Sequence, residues 1–206
     1  MPIQITASSG GFHFRGPTGE MIAPEVFFAD AFNPDGEIYQ TEDGQGWRTK
    51  ESYANGAIQV DVMLAREAAL PPGARAGDRT DLAIDGFSFS RVTDAGIEKI
   101  GTLDLGAILT VAAEYQPNGS APIGGGAAPN WVADVGEALR DAFKSDGFAF
   151  QGSAGDDVFD PESGALPLLV DGDIRGAGGD DVLTAQAGRS SVYGGAGDDA
   201  LSAKAG

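Results

Sequence analysis

The C-terminal part of the chain repeats itself every nine residues. Residues 176–184 read GAGGDDVLT, residues 185–193 read AQAGRSSVY, and residues 194–202 read GGAGDDALS. The first and third nonapeptides have Gly at positions 1 and 4, Asp at positions 5 and 6, and an aliphatic residue at position 8. The middle one has lost both aspartates, and an earlier copy, GSAGDDVFD, spans residues 152–160. A fixed short period of this kind indicates a repeat architecture.

The spacing predicts a flattened solenoid. Glycine permits positive φ and close backbone approach, so the first six residues of each copy are predicted to turn tightly with their carbonyls inward. The following residues are predicted to form a short strand whose aliphatic side chain faces a core, with Val182, Val192 and Leu201 near the nine-residue period. Two nonapeptides make one coil, so turns eighteen residues apart stack on the same edge.

The aspartates at position 6 predict a cation site. Asp181 and Asp199 lie eighteen residues apart and would face each other across one slot, with backbone carbonyls completing an all-oxygen shell. Ca²⁺ accepts six to eight oxygens at about 2.3–2.6 Å, whereas Mg²⁺ demands a stricter octahedron. The opposite edge carries Arg189 and no Asp, so no metal is expected there. The predicted metal-binding residues are Gly152, Gly155, Asp157, Gly176, Gly178, Gly179, Asp181, Gly194, Gly195, Ala196, Gly197 and Asp199.

These nonapeptides resemble the RTX (repeats-in-toxin) family, whose consensus is G-G-x-G-x-D-x-U-x. The resemblance covers about the last quarter of the chain. It implies a parallel β-roll that folds on Ca²⁺, export by a type I secretion system, and therefore a secreted, extracellular protein. The first copy departs from the period, because residues 161–175 number fifteen and leave that copy out of register by six. A disordered Gly/Asp-rich tail is the alternative, but such a tail need not keep aliphatic residues near a nine-residue period.

Composition excludes several functions. Cysteine is absent, so neither disulfides nor thiolate metal sites are available. The formal net charge of −18 argues against a nucleic-acid partner and suits calcium-rich or saline surroundings. The longest apolar run, residues 105–113, is too short to span a membrane. No cleavable signal is visible at the N-terminus.

Residues 1–117 predict a β-rich module, with a sandwich or jelly-roll-like arrangement as the expectation. Residues 97–105 and 108–115 are predicted to be a closing pair of strands, and residues 23–32 are a candidate short helix. The apolar residues that alternate with polar or small ones are Phe12, Phe14, Ile58, Val60, Val62, Leu64, Ile84, Phe87 and Phe89.

Three segments are predicted to follow that module. Residues 118–129 have the composition of a Gly/Pro linker, residues 130–146 predict a helix, and residues 147–206 predict the β-roll. Asn130 is the helix cap in this prediction. We expect the helix to cover the open first coil of the roll, since solenoids need such a cap; a partner-binding helix is the alternative. The predicted apolar face consists of Trp131, Val135, Leu139, Ala142 and Phe143.

Catalytic signals are weak. His13 is the one histidine, so the HExxH zinc motif is excluded, and no G-x-S-x-G elbow is present. Residues 31–42 match four EF-hand positions, but Ala31 stands at the essential first position, so the match is interpreted as chance. The acidic and aromatic residues that would line a sugar site are Asp30, Asp35, Glu37, Glu42, Asp43, Trp47 and Tyr53, although a solvated loop is the simpler interpretation.

Together these patterns and the RTX resemblance imply a secreted calcium-binding protein with a non-enzymatic, adhesin-like N-terminal module. That module would bind a glycan, a cell surface or another protein; the alternative is a polysaccharide-acting hydrolase. Residues 203–206 read AKAG, like the start of another repeat. We therefore expect either a fragment or a chain whose C-terminal edge pairs with another subunit.

Overall fold

The computed structural model of the chain describes residues 3–9, 11–12, 14–15, 21–22, 37–40, 47–49, 58–66, 73–116, 130–134, 138, 141–142, 147–159, 172–185 and 189–203. The strands in these ranges are β1 (Ile3–Ala7), β2 (Phe14–Arg15), β3 (Met21–Ile22), β4 (Glu37–Gln40), β5 (Trp47–Thr49), β6 (Ile58–Leu64), β7 (Arg79–Thr93), β8 (Gly96–Gln116), β9 (Asn130–Asp134), β10 (Phe148–Gln151), β11 (Val158–Phe159), β12 (Gly172–Gly178), β13 (Val182–Ala185), β14 (Ser191–Ala196) and β15 (Ala200–Ala203). The protein is mainly β, as the sequence predicts.

Apolar alternation in the N-terminal half does produce strands. Val60 and Val62 are buried on β6, and Phe87 and Phe89 are buried on β7, because every second side chain of a strand faces the core. A two-residue loop joins β7 to β8: Thr93 pairs with Gly96, whose φ is +132°.

Strands β4 to β9 close into a ring. Each pairs antiparallel with the next along the chain, and β9 pairs with both β4 and β8. The predicted sandwich or jelly-roll arrangement is therefore not confirmed. Sequence alternation fixes which side chains face inward, but it does not say whether the sheet closes on itself.

One long strand replaces the predicted closing pair. Residues 97–105 and 108–115 both belong to β8, and the break between them is a bulge, where the β7 pairing shifts from Ile84–Leu109 to Gly86–Asp104. Gly106 has a φ of +67° at this bulge. The first half of β8 pairs with β1 and the second half pairs with β9.

The predicted helix is wrong at its start, where the chain forms β9. Ala133 is completely buried and pairs with Ala113 on β8 and Ile38 on β4. Two neighbouring strands supply its backbone partners, so tertiary pairing overrides the helical spacing. Of residues 135–146 the structure describes Ala138, Asp141 and Ala142 only. The predicted linker at 118–129 and the candidate helix at 23–32 lie outside the described residues.

The C-terminal strands form a stack of parallel coils, here called the coil stack (β10–β15). Strands β10, β12 and β14 pair in one sheet and β11, β13 and β15 in another, so the chain alternates between sheets as a flattened solenoid does. Val182 pairs with Ala200, which confirms the predicted eighteen-residue coil. Val158 pairs with Val182, so the first coil holds six residues more, as the sequence offset requires. In this coil Leu183, at position 8, is buried, whereas Val182, at position 7, is exposed.

Strand β1 joins the two halves of the molecule. It pairs parallel with β10 on one side and antiparallel with β8 on the other. One hydrophobic cluster accordingly runs from Val60 and Phe87 in the ring to Phe150 and Leu183 in the coil stack. The first coil is covered by β1, in the place where the sequence predicted a helix. Among the described residues, no helix is long and apolar enough to cross a membrane.

Candidate calcium site

The repeated turns are shorter than the six residues that the sequence predicts. Strand β12 continues through position 3 of its nonapeptide, at Gly178, and β14 continues to Ala196. The chain reverses only after these residues, at Gly179 and Gly197, whose φ angles are +100° and +135°. In these two copies position 4 therefore needs glycine for the reason predicted, since other residues rarely adopt these angles.

Position 1 needs glycine for another reason. A Cβ added at Gly152 would lie 2.6 Å from Oδ2 of Asp157 and closer still to the carbonyl oxygen of Gly176. At Gly176 it would meet the carboxylate of Asp181 and the carbonyl oxygen of the residue stacked below, both well inside 3.0 Å. The missing side chain therefore leaves room for oxygens of two successive coils to converge.

The position-6 aspartates form a continuous column through the stack. The backbone N–H of Asp157 donates to Oδ1 of Asp181 at 2.8 Å. The N–H of Asp181 donates in turn to Oδ1 of Asp199 at 3.1 Å. Each carboxylate thus spans the gap between its own coil and the preceding one. This inner column brings together the three aspartates that the sequence selects as metal ligands.

A second column of aspartates, which the sequence analysis does not predict, runs beside the first. The N–H of Asp180 donates to Asp156 at 2.9 Å, and the N–H of Asp198 donates to Asp180 at 2.9 Å. These position-5 carboxylates are exposed, so they tie the coils together at the surface. The GDD triplet in each complete copy was the signal for this column.

Asp181 is electrostatically the least satisfied member of the inner column. Its side chain is 1% exposed, and Oδ2 has no hydrogen-bond partner among the described residues. By contrast, Oδ2 of Asp157 accepts the N–H of Ser153 at 2.7 Å. Burial raises the pKa of the Asp181 carboxyl, and the charges of Asp157, Asp199 and Asp156 raise it further; the hydrogen bond from the Asp157 N–H opposes them.

This arrangement fits a hard cation. A buried carboxylate oxygen without a donor is costly, and a divalent ion would satisfy it while screening the neighbouring carboxylates. Two slots result, one between Asp157 and Asp181 and one between Asp181 and Asp199. No group of three or more acidic or histidine side chains in the described part of the chain suffices for a metal by itself. Backbone carbonyls such as those of Gly176 and Gly194 would supply the remaining oxygens.

The predicted ligand set lies on one edge of the stack, in the turns and the strand ends that lead into them. Arg189, predicted to lie on a metal-free edge, is exposed. Of the candidate sugar-site residues, Glu37 and Trp47 fall in β4 and β5 with undescribed side chains, and the others lie outside the described residues. His13 and most of the EF-hand-like segment also lie outside them.

Comparison with known families identifies the C-terminal part of the coil stack. Residues 175–206 match the family model of the RTX calcium-binding nonapeptide repeat, which spans four copies. The C-terminal region therefore carries RTX repeats, and Ca²⁺ is the ion that such repeats bind. Proteins with these repeats are typically secreted, and the family is linked to type I secretion. Comparisons with curated proteins and with solved structures gave no match.

Proposed function

We propose that this chain is a secreted protein whose C-terminal β-roll binds Ca²⁺ between stacked turns and needs the ion to be stable. The observation that carries the proposal is the inner column, in which Asp181 is buried with one oxygen unpartnered. Without a cation, three carboxylates share one edge of a thin stack. With Ca²⁺, the same oxygens become ligands, so the ion stabilises the folded state through its binding free energy.

The family match supports part of this proposal independently. It begins at residue 175 and so covers the turns of Asp181 and Asp199. The earlier copy, with Asp157, lies outside the match but forms the same hydrogen bond across the stack. The proposed ligand set thus includes one more turn than the matched segment contains.

A titration of the full chain tests the proposal. Far-UV circular dichroism is recorded in chelator and then with rising Ca²⁺, and isothermal calorimetry gives the stoichiometry. We expect ordered β-structure and protease resistance to increase with Ca²⁺, and equal Mg²⁺ to have little effect because it demands stricter octahedral geometry. Identical spectra in chelator and Ca²⁺, without heat of binding, would refute the proposal.

The N-terminal module is proposed to be a non-enzymatic binding module for a glycan or cell-surface ligand, as in an adhesin. Its support is the secretion typical of proteins with these repeats. A glycan array probed in Ca²⁺ and in chelator tests it, followed by a reducing-sugar assay on any ligand found. Release of reducing sugar would contradict the non-enzymatic role. Co-expression with a type I exporter tests export.

Self-association through the last strands is part of the same proposal. In the described residues, β14 and β15 are the outermost strands of their sheets, and Tyr193 and Leu201 are 57% and 48% exposed. Exposed strand edges of this kind favour pairing with another chain. Light scattering in Ca²⁺ measures the mass, and a monomer at high concentration would contradict this part.

A further inference from the structure

The N-terminal segment is built into the coil stack in the register of a repeat. Phe12 donates its backbone N–H to Oδ1 of Asp157, and its carbonyl accepts the N–H of Val158 at 2.8 Å. One coil further on, the backbone N–H of Asp157 donates to Oδ1 of Asp181 at 2.8 Å, and the carbonyl of Asp157 accepts the N–H of Val182 at 2.9 Å. Phe12 thus takes the place of a position-6 residue.

The strand before it keeps the same register. Ile3 pairs with Phe148 and Thr6 pairs with Gln151, each 145 residues apart, and Phe12 and Asp157 are also 145 residues apart. Residues 7–12, read as ASSGGF, therefore align with residues 152–157, GSAGDD. A nine-residue period does not reveal this coil, because the segment with which it aligns lies 145 residues further along the chain.

We infer that residues 3–9, 11 and 12 form an additional terminal coil of the stack, and that Phe12 positions Asp157 for the first calcium slot. This inference rests on the proposed function. Phenylalanine offers no side-chain oxygen, so the column of carboxylates ends at Asp157. The Phe12 ring is completely buried, 5.2 Å from the ring of Phe150 and 6.4 Å from that of Phe159, and it covers the end of the column.

The covered carboxylate is held from both sides. Asp157 is completely buried, with Oδ1 bound by the Phe12 N–H and Oδ2 by the Ser153 N–H. Two backbone donors fix its orientation before an ion arrives. A carboxylate fixed in this way loses less freedom on binding, so the terminal coil raises the affinity of the slot shared by Asp157 and Asp181.

The coupling extends to the strand ring, because the terminal coil contacts both halves of the molecule. Gln4 and Thr6 pair with Asp104 and Thr102 on β8, and the N–H of Ser8 donates to the carbonyl of Ile100 at 2.8 Å. Binding free energies are reciprocal: if docking of the terminal coil favours Ca²⁺, then Ca²⁺ favours docking by the same factor. Calcium at the C-terminus therefore stabilises the N-terminus.

Amide hydrogen exchange of the full wild-type chain tests this linkage. A peptide covering residues 1–12 is followed in chelator and in Ca²⁺. We expect its protected amides to exchange about tenfold more slowly with Ca²⁺, although these residues supply no ligand, since coupling between sites commonly spans about 5–150-fold. The inference would be overturned if exchange in this peptide does not respond to Ca²⁺ while the turns at 179–181 and 197–199 become protected. That result would leave the proposed function intact.

Matched substitutions give a second readout. Phe12→Ala and Phe89→Ala each remove a completely buried phenylalanine, but Phe89 lies in the ring, where its backbone pairs with Val60 on β6 and Gly101 on β8. Calorimetry is done where near-UV circular dichroism shows both variants folded, and Phe12→Leu replaces Phe12→Ala if the latter does not fold. We expect the Phe12 variant to weaken one of two calcium sites about tenfold, and Phe89→Ala to weaken neither. Equal effects of the two variants would overturn the positioning role; no binding by the wild type would instead refute the proposed function.

Discussion

Replacing Asp181 with Asn should change stability in opposite directions with and without calcium. The substitution keeps the side-chain shape and one carbonyl oxygen, which can still accept the Asp157 N–H. It removes a negative charge from a side chain that is 1% exposed. It also replaces the unpartnered Oδ2 with an amide donor, so no buried acceptor is left unsatisfied at that position.

The two effects can be estimated separately. Without calcium, removing an unsatisfied buried acceptor should raise the free energy of unfolding by about 1–3 kcal/mol. With calcium at about 100 times its Kd, each occupied slot adds about 2.7 kcal/mol to the wild type. Because Asp181 is shared by both slots, the variant should lose about 5 kcal/mol of that stabilisation. The variant is therefore expected to be more stable than the wild type in chelator and less stable in calcium.

Urea unfolding of the full chain in chelator and in calcium measures both differences. The matched control is Asp198→Asn, which makes the same charge change at an exposed side chain of the outer column. It should shift stability by less than about 0.5 kcal/mol in either condition. A variant less stable than the wild type in chelator would refute the electrostatic argument. Unchanged calcium stabilisation would show that Asp181 is no ligand.

Three further predictions follow from the same turns. Ala177 has a φ of +82°, which costs a non-glycine residue about 1–2 kcal/mol. After the greater conformational freedom of glycine in the unfolded chain is subtracted, Ala177→Gly should stabilise the fold by about 0.5–1 kcal/mol in a thermal melt. Gly195→Ala should destabilise the fold. Arg189→Ala should leave calcium affinity unchanged or slightly higher by calorimetry, and a large loss would contradict the one-edge arrangement. The pKa of Asp181 is raised above its unfolded value of 3.8, so the carboxylate destabilises the calcium-free fold at neutral pH, and this effect fades as pH falls through the folded pKa. In chelator, the higher free energy of unfolding of Asp181→Asn relative to the wild type should therefore shrink on acidification, as urea unfolding measures. A difference that stays constant with pH would contradict the raised pKa.

The coil stack depends on β1, so its C-terminal residues are expected to fold less readily on their own. Residues 147–206 alone would lack β1, which pairs with β10 and covers the first coil. Such a fragment would expose the edge of β10 and the rings of Phe150 and Phe159 that pack on Phe12. We therefore expect the fragment to need more calcium to fold than the full chain does, as titration of both by circular dichroism would measure.

The coil stack and its aspartate column could be predicted from the order of the residues alone. The nine-residue period sets the eighteen-residue coil, and the offset between Asp181 and Asp199 sets which carboxylates stack. These features are local: a glycine that allows positive φ and an aspartate two residues later act within one turn. Repetition then copies the same geometry to the next coil. For this reason the stacking of the position-6 aspartates could be predicted without any long-range contact.

How the rest of the chain completes this stack is visible only in the folded molecule. Residues Asn130–Asp134 have helical spacing but form β9, because β4 and β8 offer two edges at once. Phe12 and Asp157 lie 145 residues apart, and Phe12 is not an aspartate, so neither period nor residue type marks it as part of the column. Its place is fixed by backbone hydrogen bonds, which any residue can make. Backbone pairing over long sequence separations leaves no pattern in the sequence, and it is this pairing that joins the N-terminal segment to the aspartate column.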